Sequence, residues 1–402
     1  MVFKFSKLKI MINLLVFFHI IAMCGFNAII LVSLMSIYYT VLNFRQIVKT
    51  DYKSKFLVAS GILVAFINVI VCKIKYNQSF AQGIVGIYFI FIYLSYFLFY
   101  DYFMLYDNGI KRVIRLIFWA ATLIAVLEII QSVFYPLFNV FEYTLRNGKV
   151  RIYEVELSFF AEIIAFSYLI FGQSTKKIKI QMVLMVTGLI FVSQSRGAFI
   201  VLCVSGIIAI IRKYWKEATI RSLINNLIFF GLLVEGGYLF SKTSYWDFLF
   251  SFFDEIQTGM GSGATRLHEL IYYFSELQKE PWFGLGIIRG GSVLADKIYR
   301  KDLWYYIEDC GLLGYIFQTG IVGILWIIVV FASLLKKIRK LIKIKTTISK
   351  IIINSLSMLI IASLVGFLNA NHIVSRTSIL FFSILLAIAD VYIKKELEIQ
   401  DE

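Results

Sequence analysis

Proline occurs twice in 402 residues, histidine three times and cysteine four times, and only 16% of the chain is charged. The shortage of charge excludes an ordinary soluble enzyme, where about 25% of residues are charged, and it excludes a disordered chain. Cys24, Cys72, Cys203 and Cys310 stand far apart with no C-x-x-C spacing, which excludes a disulfide scaffold and points to no metal cluster. There is no P-loop, and no cytoplasmic segment is large enough to bind nucleotide. That argues against an ATP-driven pump and against a transferase using nucleotide sugars on the inner face.

What is present is apolar. Hydrophobic residues make up 60% of the chain and aromatics 17%, and the mean hydropathy is +0.81. Apolar runs long enough to span a bilayer recur from end to end. The pattern predicts an all-α polytopic membrane protein with about 12 transmembrane helices, near 10–23, 27–43, 56–72, 83–101, 116–135, 157–172, 178–193, 197–211, 222–240, 311–334, 351–368 and 377–393. The first two form a hairpin turning at Cys24-Gly25-Phe26-Asn27. Lys4, Lys7 and Lys9 precede a run too long for a secretion signal, so the first span stays in the membrane.

The net charge of +15 reads as topology and not as a nucleic-acid surface. Lys and Arg gather at the N-terminus and near 45–55, 111–115, 176–179, 212–221, 336–350 and 394–395, which places these segments and both termini in the cytoplasm. The chain then divides into an N-terminal bundle of about nine spans at 1–240, an extracytoplasmic loop at 241–310, and C-terminal spans with a short tail at 311–402. The expected location is the cytoplasmic (inner) membrane. Within the loop, Leu267, Leu270, Ile271, Phe274 and Leu277 repeat at helical spacing, with Thr265 as N-cap and Pro281 as terminator. An amphipathic helix on the outer face of the bundle is expected there.

Several side chains carry possible chemistry, each with an ordinary alternative. Arg196, in Ser193-Gln-Ser-Arg-Gly197, is a snorkelling cation or an outward anion site. Arg266 stands in the expected first helical turn, where the macrodipole disfavours a cation unless an anion is bound. Otherwise it is a solvated surface arginine. Glu308 and Asp309, just before the tenth span, are interface carboxylates or a general base. His268 points away from Arg266 and reads as a surface residue. Glu128, Glu162 and Glu235 lie inside spans and should face the bundle interior, where they serve a proton path, a substrate path or a structural hydrogen bond. Asp390, close to a helix end, calls for no special role. His372 and Arg376, on the last outer loop, are secondary site candidates.

Three segments, in order, resemble the O-antigen ligase and O-antigen polymerase superfamily of bacterial envelope enzymes. They are Ser195-Arg196-Gly197-Ala198; Thr265-Arg266 through Glu280-Pro281-Trp282-Phe283-Gly284-Leu285-Gly286; and Glu308-Asp309 through Gly320-Ile-Val-Gly323. The likeness is concentrated in 190–335. The family's ligases carry a His and a small polar residue where this chain has Asp309 and Cys310, and the fit is better with the polymerase branch.

The resemblance implies a metal-independent, inverting glycosyltransferase without a cofactor, acting at the outer face of the membrane. Its donor and acceptor would be polyprenyl-diphosphate-linked oligosaccharides, and its product capsule, exopolysaccharide or O-antigen. Arg196 and Arg266 would grip the diphosphate, and Asp309 or Glu308 would take the acceptor's proton. Arg289, Trp282, His372 and Arg376 would contact substrate. Tyr272, Tyr273, Trp304, Tyr305 and Tyr306 would stack on sugar or sit at the interface. A flippase and a chain-length regulator are the expected protein partners, and nucleic acid is not. The alternatives are a ligase of the same superfamily and a lipid-oligosaccharide flippase. Internal repeats and helices broken in corresponding positions would mark the flippase.

Overall fold

The computed structural model describes residues 5–23, 28–146, 149–152, 156–171, 173, 175–193, 196–216, 255, 257–259, 261–344, 346–368 and 371–401. The expected turn at 24–27, the span at 222–240 and Glu235 lie outside these residues. The first half comprises α1 (Phe5–Met23), α2 (Ile29–Leu42), α3 (Phe44–Lys49), α4 (Lys55–Tyr76), α5 (Phe80–Ile87), a 3-10 segment (Tyr88–Leu94), α6 (Ser95–Leu105) and α7 (Gly109–Phe134). A short antiparallel hairpin of β1 (Thr144–Arg146) and β2 (Lys149–Arg151) pairs Leu145 with Val150. Then follow α8 (Glu156–Ile170), α9 (Lys176–Thr187), a π-helical segment (Gly188–Ser193) and α10 (Arg196–Lys216). Beyond the undescribed stretch come α11 (Ser262–Lys279), α12 (Val293–Ile298), α13 (Gly311–Lys343), α14 (Thr347–Val365) and α15 (Ile379–Asp401).

The all-helical, multi-pass membrane architecture stands, but the count of about 12 spans does not. Among the described residues five helices are long and apolar enough to cross a bilayer: Lys55–Tyr76, Phe80–Leu105, Gly109–Phe134, Ile307–Lys343 and Thr347–Val365. Length and charge account for part of the shortfall. α2, α8 and α9 have 14, 15 and 12 residues, so at 1.5 Å per residue each rises about 20 Å, short of the roughly 30 Å hydrocarbon layer. α15 carries Asp390, Lys394, Lys395 and Glu396 along its length.

Two helices without a polar face form the centre. Every residue from Ser95 to Phe103 in α6 is buried, as is every residue from Ile379 to Val391 in α15. Helices apolar all round must be enclosed by others, and α6 packs directly on α15. The two carboxylates of this core are paired. Asp101 accepts from Tyr39 Oη (2.5 Å) and Tyr52 Oη (2.8 Å). Asp390 accepts from Ser54 Oγ (2.6 Å), Tyr96 Oη (2.8 Å) and Lys337 Nζ. The reading of Asp390 as a residue needing no explanation is therefore corrected. It is buried, and it ties α4, α6, α13 and α15 together.

α13 sets the height of the loop. Its 33 residues would rise about 50 Å, some 20 Å more than the hydrocarbon layer. The helix breaks at Gly320, where φ is 63° and ψ −150°. The part after the break, about 35 Å, is long enough to cross alone. The part before it carries the Ile307–Cys310 turn and meets α11.

Candidate functional site

The break in α13 is matched by the turn that follows α11. A straight helix would bond Ile321 N–H to the Phe317 carbonyl and Val322 N–H to that of Gln318. At Gly320 both bonds are lost, and the turn replaces all four partners. Leu285 and Gly286 N–H donate to the carbonyls of Phe317 and Gln318, each at 2.8 Å. Ile321 and Val322 N–H donate to the carbonyls of Pro281 (2.8 Å) and Trp282 (3.3 Å). The backbones approach so closely that a Cβ on Gly284 would lie 2.3 Å from the Phe317 carbonyl oxygen, and one on Gly320 2.5 Å from that of Pro281. Both glycines have positive φ, so both requirements select glycine. The Pro281–Gly286 and Gly320–Gly323 motifs are thus two halves of one junction.

Side chains fasten the junction. Lys75 Nζ donates to the Gly284 carbonyl (2.9 Å) and pairs with Glu280 (2.9 Å). Tyr299 Oη donates to the Gly286 carbonyl (2.8 Å) and accepts from Ile288 N–H (3.0 Å). Tyr272 and Tyr273 donate to the carbonyls of Ile298 and Tyr299, both at 2.9 Å. Tyr273 is therefore a buried brace of the loop and not a surface for stacking sugar. Trp282, Trp304 and Tyr306 are exposed, and Tyr305 lies within ring contact of Tyr272 and Tyr273.

The junction holds α11 against the Ile307–Cys310 turn, and here charge collects. Arg266 Nη2 stands 3.5 Å from Asp309 Oδ2, both side chains partly exposed. Glu269 lies one turn along from Arg266, on the same face, and is 2% exposed. Among the described residues its Oε1 has no hydrogen-bond partner, while the Tyr306 N–H and the Cys310 thiol face the carboxyl group. Burial, helped by the negative charge of Asp309, pushes Glu269 up to about 7. Glu308 is exposed in the same turn, and His268 is exposed on α11.

α11 departs from expectation in two ways. It starts at Ser262 after Gly261, so Thr265 is not its cap and Arg266 lies in the second turn. Its N-terminus is already occupied, because Gly263 N–H donates to Glu255 Oε2 at 2.7 Å. A phosphate bound at that terminus does not account for Arg266. The buried face also differs: Leu267, Ile271 and Phe274 are exposed, while Ala264, Glu269 and Tyr273 are buried.

The remaining candidates lie elsewhere in the fold. Arg196 opens α10, directly after the π-helical segment and two undescribed residues, and its side chain is outside the described residues. Just before it, the Ser193 carbonyl accepts from Arg151 Nε at 3.0 Å. Arg289 N–H donates to Gln78 Oε1 (3.1 Å). Arg376 lies over the Phe89 ring (5.7 Å), and a Cβ on Gly290 would be 3.6 Å from its Nη2. These two arginines therefore share a neighbourhood. His372 is buried, with its ring stacked on Phe159 at 4.3 Å. Burial pulls it down to about 4, so it is neutral. Glu128 packs against Gly188 at the start of the π-helical segment. Glu162 is fully buried in α8, with neither oxygen hydrogen-bonded among the described residues.

No protein-family model matches this chain, and no curated protein matches it. Among the described residues no group of three or more His, Cys, Asp and Glu side chains is placed to hold a metal ion.

Sequence reasoning passed over Glu269 and Lys75. Glu269 had a signal: it stands three residues after Arg266, so the two share a face. Lys75 had none, since its partners are a carbonyl and a carboxylate more than two hundred residues away.

Proposed function

We propose that the chain is a polymerase of polyprenyl-diphosphate-linked oligosaccharide repeat units, working at the outer face of the cytoplasmic membrane with both termini in the cytoplasm. The observation that carries this reading is the Arg266–Asp309 contact at 3.5 Å. It joins a cation suited to a diphosphate with a carboxylate suited to an acceptor proton, beside a loop braced to a membrane helix.

The chemistry follows from those groups. The acceptor hydroxyl oxygen attacks the anomeric carbon of the donor. Its O–H bond breaks as the new C–O bond forms, and the proton passes to Asp309, with Glu308 the neighbouring alternative. The bond from the anomeric carbon to the diphosphate oxygen breaks, and its electron pair stays on that oxygen. Arg266, with Arg196 as the proposed second cation, stabilises the growing charge by bidentate hydrogen bonds. In the resting site Arg266 is shared with Asp309. A diphosphate that takes the guanidinium frees Asp309 to act as base. Arg289, Arg376 and Trp282 are proposed contacts for the glycan or its lipid carrier. A flippase and a chain-length regulator are the proposed partners. His372, buried and neutral, is withdrawn from the proposed contacts.

The test is a gel of surface and lipid-linked glycans from a strain lacking the gene, complemented with wild type or Arg266→Ala. Single repeat units should persist while the long ladder disappears, and only wild type should restore it. Long lipid-linked chains that never reach an acceptor would mean a ligase instead. A ladder untouched by the deletion would overturn both and favour transport.

A further inference from the structure

We propose that Glu269 and Asp309 form a carboxylate pair that takes up a proton when an anion draws Arg266 away. This makes Glu269 a positioning residue for the transfer reaction, and it rests on the reading of the site as a diphosphate-binding centre.

The geometry supplies the parts. Arg266 and Glu269 occupy the same face of α11, three residues apart. Asp309, on the facing turn, pairs with Arg266 at 3.5 Å. Glu269 is 2% exposed, and among the described residues its Oε1 has no hydrogen-bond partner. A buried carboxylate with an open oxygen is costly in its charged form and well placed to hold a proton. The groups acting on it are all at hand. Arg266 favours its charged form, as do the Tyr306 N–H and the Cys310 thiol. Burial and Asp309 oppose it. Tyr273, on the same helix, feels the charge of Glu269 and of Glu308. Arg266 is the one cation in this set and the group a diphosphate would take. Its departure removes the one positive charge facing Glu269, and Glu269 then binds a proton. With the proton on Glu269, Asp309 is left to receive the acceptor's proton. The proton on Glu269 comes from solvent and stays there through the transfer.

The experiment uses the full chain in lipid nanodiscs and geranyl diphosphate as the prenyl diphosphate probe. Calorimetric titration at about pH 8 in two buffers of different ionisation enthalpy gives the protons taken up per probe bound. Wild type should bind with uptake of a fraction of a proton. Glu269→Gln should bind with that uptake lost, Glu269→Asp should restore it, and Arg266→Ala should bind at least about tenfold more weakly. Arg266-dependent binding without uptake in wild type overturns the inference and leaves the diphosphate site standing. Uptake unchanged in Glu269→Gln overturns it too. Equal affinity in wild type and Arg266→Ala overturns the site reading and the inference with it. Should Glu269→Gln fail to fold, absence of uptake in wild type still overturns the inference.

Discussion

Two pairs of opposite charge lie near the two ends of α13, and they are built differently. Near the C-terminal end Lys337 and Asp390 are 6% and 1% exposed, and Asp390 also accepts from Ser54 and Tyr96. Its lone pairs are used, and water is excluded. Near the N-terminal end Arg266 and Asp309 are 39% and 51% exposed and 3.5 Å apart, beside a buried carboxyl with an open oxygen. The first pair is complete and gains nothing by changing partners. The second can trade a weak partner for a stronger one. A saturated pair holds helices together, and an unsaturated pair at the surface can bind a ligand.

The sharpest way to break this contrast is to cut each pair. Asp390→Ala leaves Lys337 buried without its counter-charge and should cost about 3–5 kcal/mol, read as a large fall in thermal stability in detergent. Arg266→Ala should leave that melting temperature nearly unchanged, since an exposed pair contributes about 0–1 kcal/mol. It should lower the rate of glycan extension by about 10²–10³-fold. Arg266→Lys should recover little of this, because the planar fork is lost. If Asp390→Ala spares stability, or Arg266→Ala destroys it, the contrast fails.

A smaller effect is expected at the junction. Gly320→Ala places a Cβ against the Pro281 carbonyl at positive φ, and the conformation alone costs about 1–2 kcal/mol. Stability and activity should fall together, since the turn that positions α11 is displaced. Activity unaffected by Gly320→Ala would show that the loop is positioned by other contacts.

The pH response sharpens the comparison further. Burial raises Glu269 to about 7 from the ordinary 4.5 of a glutamate, so its protonated form favours the folded state. That contribution is fully present below about 4.5 and is lost as pH rises through about 7. Glu269→Gln should flatten this part of a melting-temperature profile. The smallest effect is expected from His372→Phe, which replaces a neutral buried ring stacked on Phe159 and should shift stability by less than about 1.5 kcal/mol. A larger loss would show that His372 has a polar role in the bundle.

Some of this was legible in the sequence. Apolar runs mark where helices lie, because exclusion from water acts along any stretch of that length. They do not report whether a helix of 12 to 15 residues crosses the bilayer or how far α13 rises before it breaks. Arg266 and Asp309 stood out by residue type and position. Glu269 did not, because a carboxylate on an amphipathic helix reads as its wet side, and the turn carrying Asp309 that faces it is forty residues away in the chain. Asp390 was passed over for the converse reason: nearness to a helix end suggests water, yet α4, α6 and α13 surround it. Leu267, Ile271 and Phe274 repeat at helical spacing, but a helix seated through tyrosines and a glutamate leaves those apolar residues facing outward.

The paired breaks at Gly284 and Gly320 bear on how the chain is made. Phe317, Gln318, Ile321 and Val322 present two bare acceptors and two bare donors until Pro281–Gly286 meets them. Lipid offers such groups nothing in exchange. The Pro281–Gly286 turn is synthesised first, so the partners that α13 lacks precede it on the chain. A nascent chain that stops short of Gly320 therefore has the turn without the junction, and only one that runs through Val322 can make all four bonds.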